Sequence, residues 1–249
     1  MATALVVEND PTDDLRRLGE WLSEEGLECA VVRPYAGDPL PDALAGFGAV
    51  VVLGGAQSAY GPTAESWFPA LESLLRKAVR HRVPTLGICL GAQLLATAHA
   101  GVVEPGRSGP EIGPGLVARR DAAEGDMLFA RVPFTPDVLQ WHHDEIAELP
   151  AGATLLAAST AYPHQAFRLG DRAWGLQFHI ECDTAMVADW VSTNLDLLAE
   201  LDLDPEVVVA ATAAVMPDLE DVWQPFAVRF AALARGGPVP GAPLPLLDP

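Results

Sequence analysis

The sequence is poor in cysteine and in basic residues. Its 249 residues include three cysteines, and 15 Lys and Arg stand against 34 Asp and Glu, which gives a formal net charge of −19. The cysteines are widely spaced, odd in number and form no CxxC pair, so we expect a reducing, cytoplasmic environment. Because the negative charge repels phosphate backbones and anionic lipid, we expect neither nucleic acid nor a membrane surface among the partners.

A signal peptide and a membrane span are also missing from the pattern. The first ten residues hold a short apolar run that is followed by acids and lacks a basic leading segment, which predicts a first strand. The most apolar long window, residues 86–103, contains Gln93 and His99, so it predicts a buried strand, turn and helix. Half of the residues are hydrophobic, which is enough for one large domain with a buried core.

The first hundred residues alternate between strand and helix patterns. Apolar runs predict strands at 3–7, 27–33, 49–53 and 83–88, and apolar residues at helical spacing predict helices at 11–25, 64–81 and 92–100. Such an alternation is typical of an α/β fold with a doubly wound, mostly parallel central sheet. Sites in such sheets lie at the carboxyl ends of the strands.

The second half of the chain has a different texture. Short strand candidates at 116–120, 138–141, 154–158, 165–169 and 174–178 predict an antiparallel flank, and the Gly- and Pro-rich residues 104–115 are interpreted as loop. A helix is predicted at 183–198, with Asp183 and Thr184 as candidates for its cap, followed by two helices within 203–233 that are broken near Pro217. We therefore divide the chain into a main domain, 1–200, and a C-terminal helical extension with a Pro-rich tail, 201–249.

A nucleophile elbow is predicted where the strand at 83–88 ends. Gly87-Ile88-Cys89-Leu90-Gly91 places a cysteine at the tip of a strand-to-helix turn, with a glycine two positions to either side. The sulfur would then lie at a helix N-terminus, where the thiolate is favoured. Taken alone, a cysteine is more often a small buried hydrophobe.

A candidate base and its orienting acid follow ninety residues later. His179 and Glu181 end the last strand candidate and, being two positions apart in extended chain, point to the same side. If this strand neighbours the elbow strand, the imidazole would meet Cys89 and the carboxylate would hold the imidazole. The coincidence of elbow, histidine and acid favours a catalytic thiol over a structural one.

These residues carry a family resemblance that covers roughly residues 3–198. The chain resembles the class I (triad) glutamine amidotransferases, which have a flavodoxin-like sheet, and in particular the glutaminase domain of GMP synthase and its free-standing relatives. The motifs that carry the resemblance are Val52-Leu53-Gly54-Gly55, Leu86 to Gln93, Glu111-Ile112-Gly113, Gln140 to Ile146, Gln165 to Arg168 and Gly175 to Glu181. The main domain, 1–200, is thereby interpreted as a type 1 glutamine amidotransferase domain.

The resemblance implies a role for each matching residue. It makes Cys89 the nucleophile that forms a γ-glutamyl thioester, His179 the proton shuttle and Glu181 the acid that orients it. It assigns the oxyanion to the backbone N–H groups of Gly55 and Leu90. It further places three residues at the substrate, namely Gly54, Gln93 and His143. No cofactor is implied.

Several of these residues also have plainer interpretations. Gly54-Gly55 is equally well a simple turn after a strand, and Gln93 is alternatively only a polar helix residue. The family usually has His-Pro-Glu where this chain has His179-Ile180-Glu181, and a proline after Gly-Gly where this chain has Ala56. Neither departure removes a reacting group, although Ala56 bears on the shape of the oxyanion loop.

The run His142-His143-Asp144-Glu145 invites a metal interpretation, which we do not favour. Consecutive residues point in different directions, and no matching ligand pair stands at helical or strand spacing nearby. Cys182 is a second thiol beside Glu181, but it lacks an elbow and is interpreted as structural. No metal site is therefore expected. We expect Tyr60, His143 and Phe167 at the rim of the substrate pocket.

Three functions remain open at this point. The first is a glutaminase that releases ammonia from glutamine for a separate synthetase, because about fifty residues beyond the family core are too few for an ATP-dependent domain and no phosphate-binding loop is present. The second is a free-standing γ-glutamyl hydrolase or peptidase. The third is a non-catalytic regulatory relative. The apolar residues within 203–235 are expected to cover the domain, or alternatively to dock a synthetase or a second copy of the chain.

Overall fold

The computed structural model describes residues 2–242, which form twelve strands and six α-helices. The strands are β1 (Ala2–Val7), β2 (Leu27–Val32), β3 (Ala49–Val52), β4 (Thr85–Ile88), β5 (Val102–Pro105), β6 (Glu111–Leu116), β7 (Ala118–Arg119), β8 (Asp137–His142), β9 (Asp144–Glu148), β10 (Thr154–Ala158), β11 (Ala166–Leu169) and β12 (Ala173–Leu176). The helices are α1 (Arg16–Glu24), α2 (Phe68–Arg80), α3 (Leu90–Thr97), α4 (Thr184–Thr193), α5 (Leu195–Glu200) and α6 (Pro205–Ala234).

Eight strands form the central sheet in the order β2-β1-β3-β4-β12-β11-β10-β7. The first five are parallel to one another, and the remaining three continue the sheet in antiparallel pairs. Two separate ribbons, β5-β9 and β6-β8, lie outside this sheet. The predicted fold, a mostly parallel central sheet with an antiparallel flank, is confirmed.

Both faces of the parallel half are covered, as the apolar sequence of β3 predicts. Val51 belongs to a core with α1 and α6, whereas Val50 and Val52 belong to a core with α2 and α3. All four residues of β3 are fully buried. A strand that has helices on both sides gains from apolar residues at every position, which explains the continuous run. The two helical layers leave the carboxyl ends of the strands free for loops.

The interpretation of residues 104–115 as loop is wrong in part. They include most of β6, which pairs antiparallel with β8 in an unbroken register from Glu111–His142 to Leu116–Asp137. Gly113 lies at a φ of 87°, which a residue with a side chain rarely adopts. In a two-stranded ribbon each strand has one open edge, so Pro114 is tolerated although it lacks an N–H. The strand β9, which pairs with β5, was likewise not predicted.

The prediction of two helices broken near Pro217 is wrong, because α6 runs unbroken for 30 residues through Pro217 and Pro225. A proline removes the hydrogen bond to the carbonyl four residues earlier, which here belongs to Ala213 or Asp221. Both prolines and both of these residues are exposed, so water can satisfy the freed carbonyls. The buried face of α6 therefore stays intact on both sides of each proline.

The remaining helix boundaries differ in ways that matter for the site. The helix at 183–198 is instead two helices, α4 and α5, which are separated at Asn194, and Asp183 caps α4 by accepting from the N–H of Met186 at 2.7 Å. The helix predicted from residue 11 begins only at Arg16. Residues 8–15 are therefore a loop at the carboxyl end of β1.

The C-terminal region is described as far as residue 242. Residues 243–249 of the Pro-rich tail lie outside the described residues, and the division at residue 200 stays a prediction. Within residues 2–242 no helix is both long enough and apolar enough to cross a membrane.

Candidate active site

Cys89 occupies a strained turn between β4 and α3. Its backbone has a φ of 51° and a ψ of −111°, a combination that residues with a side chain rarely adopt, and α3 begins at the next residue. A Cβ on Gly87 would lie 2.5 Å from the carbonyl oxygen of Gly91, so the turn has no room for a side chain there. The nucleophile elbow expected from the sequence is present, with the cysteine at its tip.

Pairing of neighbouring strands brings the distant histidine to this elbow. Strand β12 lies parallel to β4 with Gly175 opposite Gly87, and the N–H of Cys89 donates to the carbonyl of Leu176 at 2.8 Å. Three residues after β12 ends, the N–H of His179 donates to the carbonyl of Leu139 at 2.8 Å. The backbone of the histidine is thus fixed by β8.

The side chains of His179 and Glu181 are joined inside the protein. Nδ1 of the imidazole lies 2.6 Å from Oε1 of Glu181, and Oε2 of the same carboxylate accepts from the N–H of Ile180 at 2.9 Å. Both side chains are almost fully buried. Nε2 of His179 has no hydrogen-bond partner among the described residues, and the imidazole lines the same cavity as Cys89. An imidazole held in this way can take a proton from a neighbouring thiol and return it.

The electrostatics of the histidine favour its charged form. Burial opposes a charge on the ring, but the electrostatic effects of Glu181, and after it of Cys89 and Cys182, outweigh burial and raise the pKa of His179 well above its ordinary value. Cys182 has a different environment, because burial and the nearby Glu181 raise the pKa of its thiol. Cys182 therefore remains a neutral thiol, in agreement with the structural interpretation of the sequence.

A cavity of about 480 Å³ opens above the elbow, a size that suits a small molecule. It is lined by Asp10, Thr12, Asp13, Gly55, Ala56, Gln57, Ser58, Cys89, Gln93, Trp141, His142, His143, Asp144, His179, Trp190, Thr193 and Asn194. Of the predicted site residues that do not react, the structure brings Gly55, Gln93 and His143 to this cavity. Gln93 is held there by hydrogen bonds from Nε2 to Oε1 of Gln177 at 3.2 Å and to the carbonyl of Asp144 at 3.4 Å.

The two candidate oxyanion donors come from the elbow itself, at Leu90, and from the loop after β3, at Gly55. Leu90 is the first residue of α3, so its N–H has no acceptor within the helix. The N–H of Gly55 donates to no backbone carbonyl among the described residues, and a Cβ on Gly55 would lie 3.0 Å from the side chain of Leu90. Gly54 does not line the cavity, but it leaves space for Asp13, because a Cβ there would lie 2.9 Å from Oδ1 of Asp13.

Two of the three residues expected at the rim of the pocket, Phe167 and Tyr60, do not line the cavity. Phe167 is fully buried beneath Gly175 and is not part of the rim, and Tyr60 reaches the site only through a hydrogen bond to Oδ1 of Asp144 at 3.1 Å. Trp190 lines the cavity from α4, within the helix that its spacing predicts. Asp13 also lines the cavity, although its spacing assigned it to a helix, and the sequence held no signal for this position because it depends on where α1 begins.

The run that includes His142 and Glu145 is part of a buried polar network. His142 uses both ring nitrogens, with Nδ1 2.9 Å from the carbonyl of Asp144 and Nε2 3.0 Å from Oε2 of Glu111. Glu145 accepts from Nε of Arg107 at 2.9 Å. These hydrogen bonds join β6, β8 and β9, so the two side chains shape one wall of the site.

One group of potential metal ligands occurs among the described residues. Ligand atoms of His179, Glu181 and Cys182 all lie within 4.8 Å of one another. Both oxygens of Glu181 are already hydrogen-bonded, and the thiol of Cys182 is neutral. A cation there would have to displace the hydrogen bond that holds the imidazole.

Comparison with known proteins shows which protein family this chain resembles. The family model "Glutamine amidotransferase class-I" matches residues 16–186. The chain is 30% identical to γ-glutamyl peptidase 4 of Arabidopsis thaliana over 70% of both chains, and 32% identical to a glutamine-hydrolysing GMP synthase of Porphyromonas gingivalis over 73% of this chain and 33% of the synthase. A glutamine amidotransferase from Thermotoga maritima has a similar structure, with a TM-score of 0.83 and 26% identity over 92% of this chain and 98% of its own.

Proposed function

Because the chain belongs to the class I glutamine amidotransferase family, we propose that it hydrolyses the side-chain amide of a γ-glutamyl substrate through a thioester on Cys89. Glutamine is the simplest such substrate. The observation that carries the proposal is the arrangement of Cys89 at a strained elbow and His179, bonded to buried Glu181, in the wall of one cavity. A thioester mechanism needs these three groups.

In the first half of the reaction the thiolate of Cys89 attacks the amide carbon. The carbonyl oxygen becomes an oxyanion, for which the N–H groups of Gly55 and Leu90 are the proposed donors, and the loss of one such donor typically costs about 2.7–4 kcal/mol of transition-state stabilisation. The imidazolium of His179 then gives its proton to the amide nitrogen. The carbon–nitrogen bond breaks, and ammonia or an amine leaves.

In the second half the same groups act in reverse. His179 takes a proton from a water molecule in the place that the amine has left, this water attacks the thioester carbon, and the carbonyl oxygen again becomes the oxyanion. Collapse of this intermediate releases glutamate and regenerates the thiolate of Cys89 opposite the imidazolium. Glu181 stabilises the imidazolium in both halves without itself being protonated. The scheme requires no metal and no cofactor.

The similarities support two uses for this chemistry. Likeness to GMP synthase supports a glutaminase whose ammonia passes to a synthetase partner, whereas likeness to a γ-glutamyl peptidase supports a free-standing hydrolase of γ-glutamyl amides. Purified chain that releases glutamate from glutamine, and not from larger γ-glutamyl amides, would favour the glutaminase. The opposite preference would favour the hydrolase.

A labelling experiment tests the chemistry itself. We expect a glutamine-like diazo ketone to alkylate Cys89, to be detected as a mass increase on the tryptic peptide that contains it. Cys182→Ala is the matched control and should react as the wild type does, whereas Cys89→Ala should not react. Failure to label Cys89, together with no release of glutamate from any γ-glutamyl amide, would leave the non-catalytic relative as the surviving hypothesis.

A further inference from the structure

Asp13 is a buried acid in the cavity wall that the proposed reaction does not use. Asp13 is 7% exposed, and it lines the same cavity as Cys89. Two hydrogen bonds fix the surrounding loop, since Nε1 of Trp190 donates to the carbonyl of Thr12 at 3.1 Å and the N–H of Arg17 donates to the carbonyl of Glu181 at 3.1 Å. The backbone on both sides of Asp13 is therefore held in place.

This carboxylate lacks a committed hydrogen-bond donor. Among the described residues its only side-chain neighbour within hydrogen-bond distance is Oγ1 of Thr12, at 3.4 Å from Oδ2. That hydroxyl lies closer to Oδ1 of Asp10, at 2.8 Å, and it has a single hydrogen to give. A mostly buried carboxylate with one long, shared hydrogen bond is poorly satisfied, which is consistent with a ligand as a further partner.

The position of Asp13 beside His179 identifies the part of the substrate that it faces. Oδ1 of Asp13 and Cε1 of His179 both lie within 3.3 Å of the point that a Cβ on Gly54 would occupy. In the proposed reaction His179 gives its proton to the leaving nitrogen, so the leaving amine lies against this imidazole. Asp13 thus stands on the side of the cavity to which the leaving amine extends.

The charged residues that line the cavity indicate which charge the leaving amine should carry. Three acids, Asp10, Asp13 and Asp144, line the cavity, and none of the described residues that line it is Lys or Arg. The imidazolium of His179 also lines the cavity, so the acids outnumber the favoured cation. Asp10 accepts from Thr12, and Asp144 accepts from Tyr60. Asp13 is thus the acid left to bind a ligand. An anionic leaving group would meet like charge here, whereas a cation would supply the donor that Asp13 lacks.

Aromatic rings complete the environment of a cation. The ring of Trp190 lies 4.9 Å from that of His179 and 5.4 Å from that of Trp141, measured between centroids, and both tryptophans line the cavity. Tryptophan faces attract ammonium groups. Asp13, Trp141 and Trp190 line the same cavity, and together they provide an environment that suits a cation.

We propose that Asp13 binds an ammonium group in the leaving amine, so that the preferred substrates are γ-glutamyl amides of diamines or polyamines. This inference rests on the proposed γ-glutamyl amide hydrolysis and specifies its substrate class. The amide nitrogen of such a substrate receives its proton from His179, while the distal ammonium group forms a charge-assisted hydrogen bond with Asp13.

Three γ-glutamyl amides of similar size test the proposal. The amines are diaminobutane, which leaves a free ammonium group, pentylamine, which has a methyl group in its place, and aminobutyric acid, which has a carboxylate. We expect kcat/KM for the cationic amide to exceed that of the neutral amide about 10- to 100-fold, the equivalent of one charged hydrogen bond, and the anionic amide to be poorest. In Asp13→Asn the ratio of cationic to neutral amide should fall to about one.

Asp14→Asn is the matched control, because Asp14 is also an acid of this loop but does not line the cavity and pairs with Arg16. It should keep the wild-type ratio. A wild type without preference for the cation, or a preference that persists in Asp13→Asn, overturns the proposal while glutamate release still supports the proposed function. Equal losses for all three amides in Asp13→Asn would overturn it in favour of a role in positioning His179.

A binding measurement keeps the inference testable if no amide is hydrolysed. The Cys89→Ala chain should bind the cationic amide about 10-fold more tightly than the neutral one in calorimetry. Equal affinities would overturn the cation site. Tighter binding of the cation without any turnover by the wild type would instead contradict the proposed hydrolysis and leave the site standing.

Discussion

His179 and Glu181 are joined by a 2.6 Å hydrogen bond although they lie only two positions apart in the chain. The proposed base and its orienting acid therefore come from one short segment after β12, while the proposed nucleophile comes from the neighbouring strand end. A segment this short positions both groups together. Changes to the segment and changes to the elbow consequently give separate tests of the site.

We expect Glu181→Gln to lower kcat/KM for amide hydrolysis about 10²- to 10⁴-fold, because the neutral amide cannot stabilise the imidazolium. The pKa of His179 should also fall, since the carboxylate is what outweighs burial. The pH dependence of kcat/KM measures this shift. Glu148→Gln, at the exposed end of β9, is the control and should behave as the wild type. An unshifted profile with nearly full activity would contradict the assigned role.

The strain at Cys89 predicts a difference between two inactive variants. Cys89→Ala and Cys89→Gly both remove the thiol, but only glycine adopts a φ of 51° and a ψ of −111° without steric cost. We expect Cys89→Gly to be more stable than Cys89→Ala by about 1 kcal/mol in urea denaturation, after allowance for the greater flexibility of unfolded glycine. Equal stability would mean that the elbow stores no strain.

The close packing of the elbow predicts a large effect of one methyl group. In Gly87→Ala the new Cβ would lie 2.5 Å from the carbonyl oxygen of Gly91, and backbone cannot move aside without opening the turn. We expect a loss of about 2–4 kcal/mol in the free energy of unfolding. Gly125→Ala, where a Cβ meets nothing within 4 Å, is the control and should change stability by less than about 1 kcal/mol.

Trp223 links α6 to the catalytic segment. Its indole is fully buried, packs 5.2 Å from the ring of Phe178 and donates to the carbonyl of Asp137 at 2.9 Å. We expect Trp223→Ala to lower the free energy of unfolding by about 3–5 kcal/mol and to reduce activity, because Phe178 immediately precedes His179. Val207→Ala, on an exposed part of the same helix, should change neither. Loss of stability without loss of activity would separate α6 from the site.

Burial of Asp13 predicts a pH-dependent stability. Burial raises the pKa of this carboxyl from 3.8 to about 7. The nearby His179 lowers this pKa in part, whereas the negative charges of Glu181 and Asp10 raise it further. Between these values the folded chain keeps a proton that the unfolded chain has lost, so the contribution of Asp13 to the free energy of unfolding falls as pH rises.

Asp13→Asn should remove this dependence. We expect the stability of the variant relative to the wild type to increase by about 2–3 kcal/mol between pH 5 and pH 8 in urea denaturation. Asp14→Asn should follow the wild type at both pH values. If the wild type does not lose stability relative to Asp13→Asn between pH 5 and pH 8, then burial does not raise the pKa of the Asp13 carboxyl.

The sequence was sufficient to predict the sheet, the elbow and the pair His179–Glu181, because each depends on local spacing. Apolar runs identify strands that are buried on both faces, and two glycines around a cysteine identify a turn. What it did not predict depends on tertiary contacts. Whether Pro217 breaks a helix depends on which face of α6 is buried, and β6 contains Gly113 and Pro114 only because β8 lies beside it. Asp13 reaches the cavity because α1 begins later than its apolar spacing suggests.

The alignment of Gly175 with Gly87 has a consequence for the newly synthesised chain. Cys89 leaves the ribosome about ninety residues before His179, and until β12 has docked beside β4 the thiol has neither its base nor the carbonyl that anchors its own N–H. The chain therefore emerges with the cysteine half of the proposed site first, and the two halves can meet only after β12 has been made and has joined the sheet.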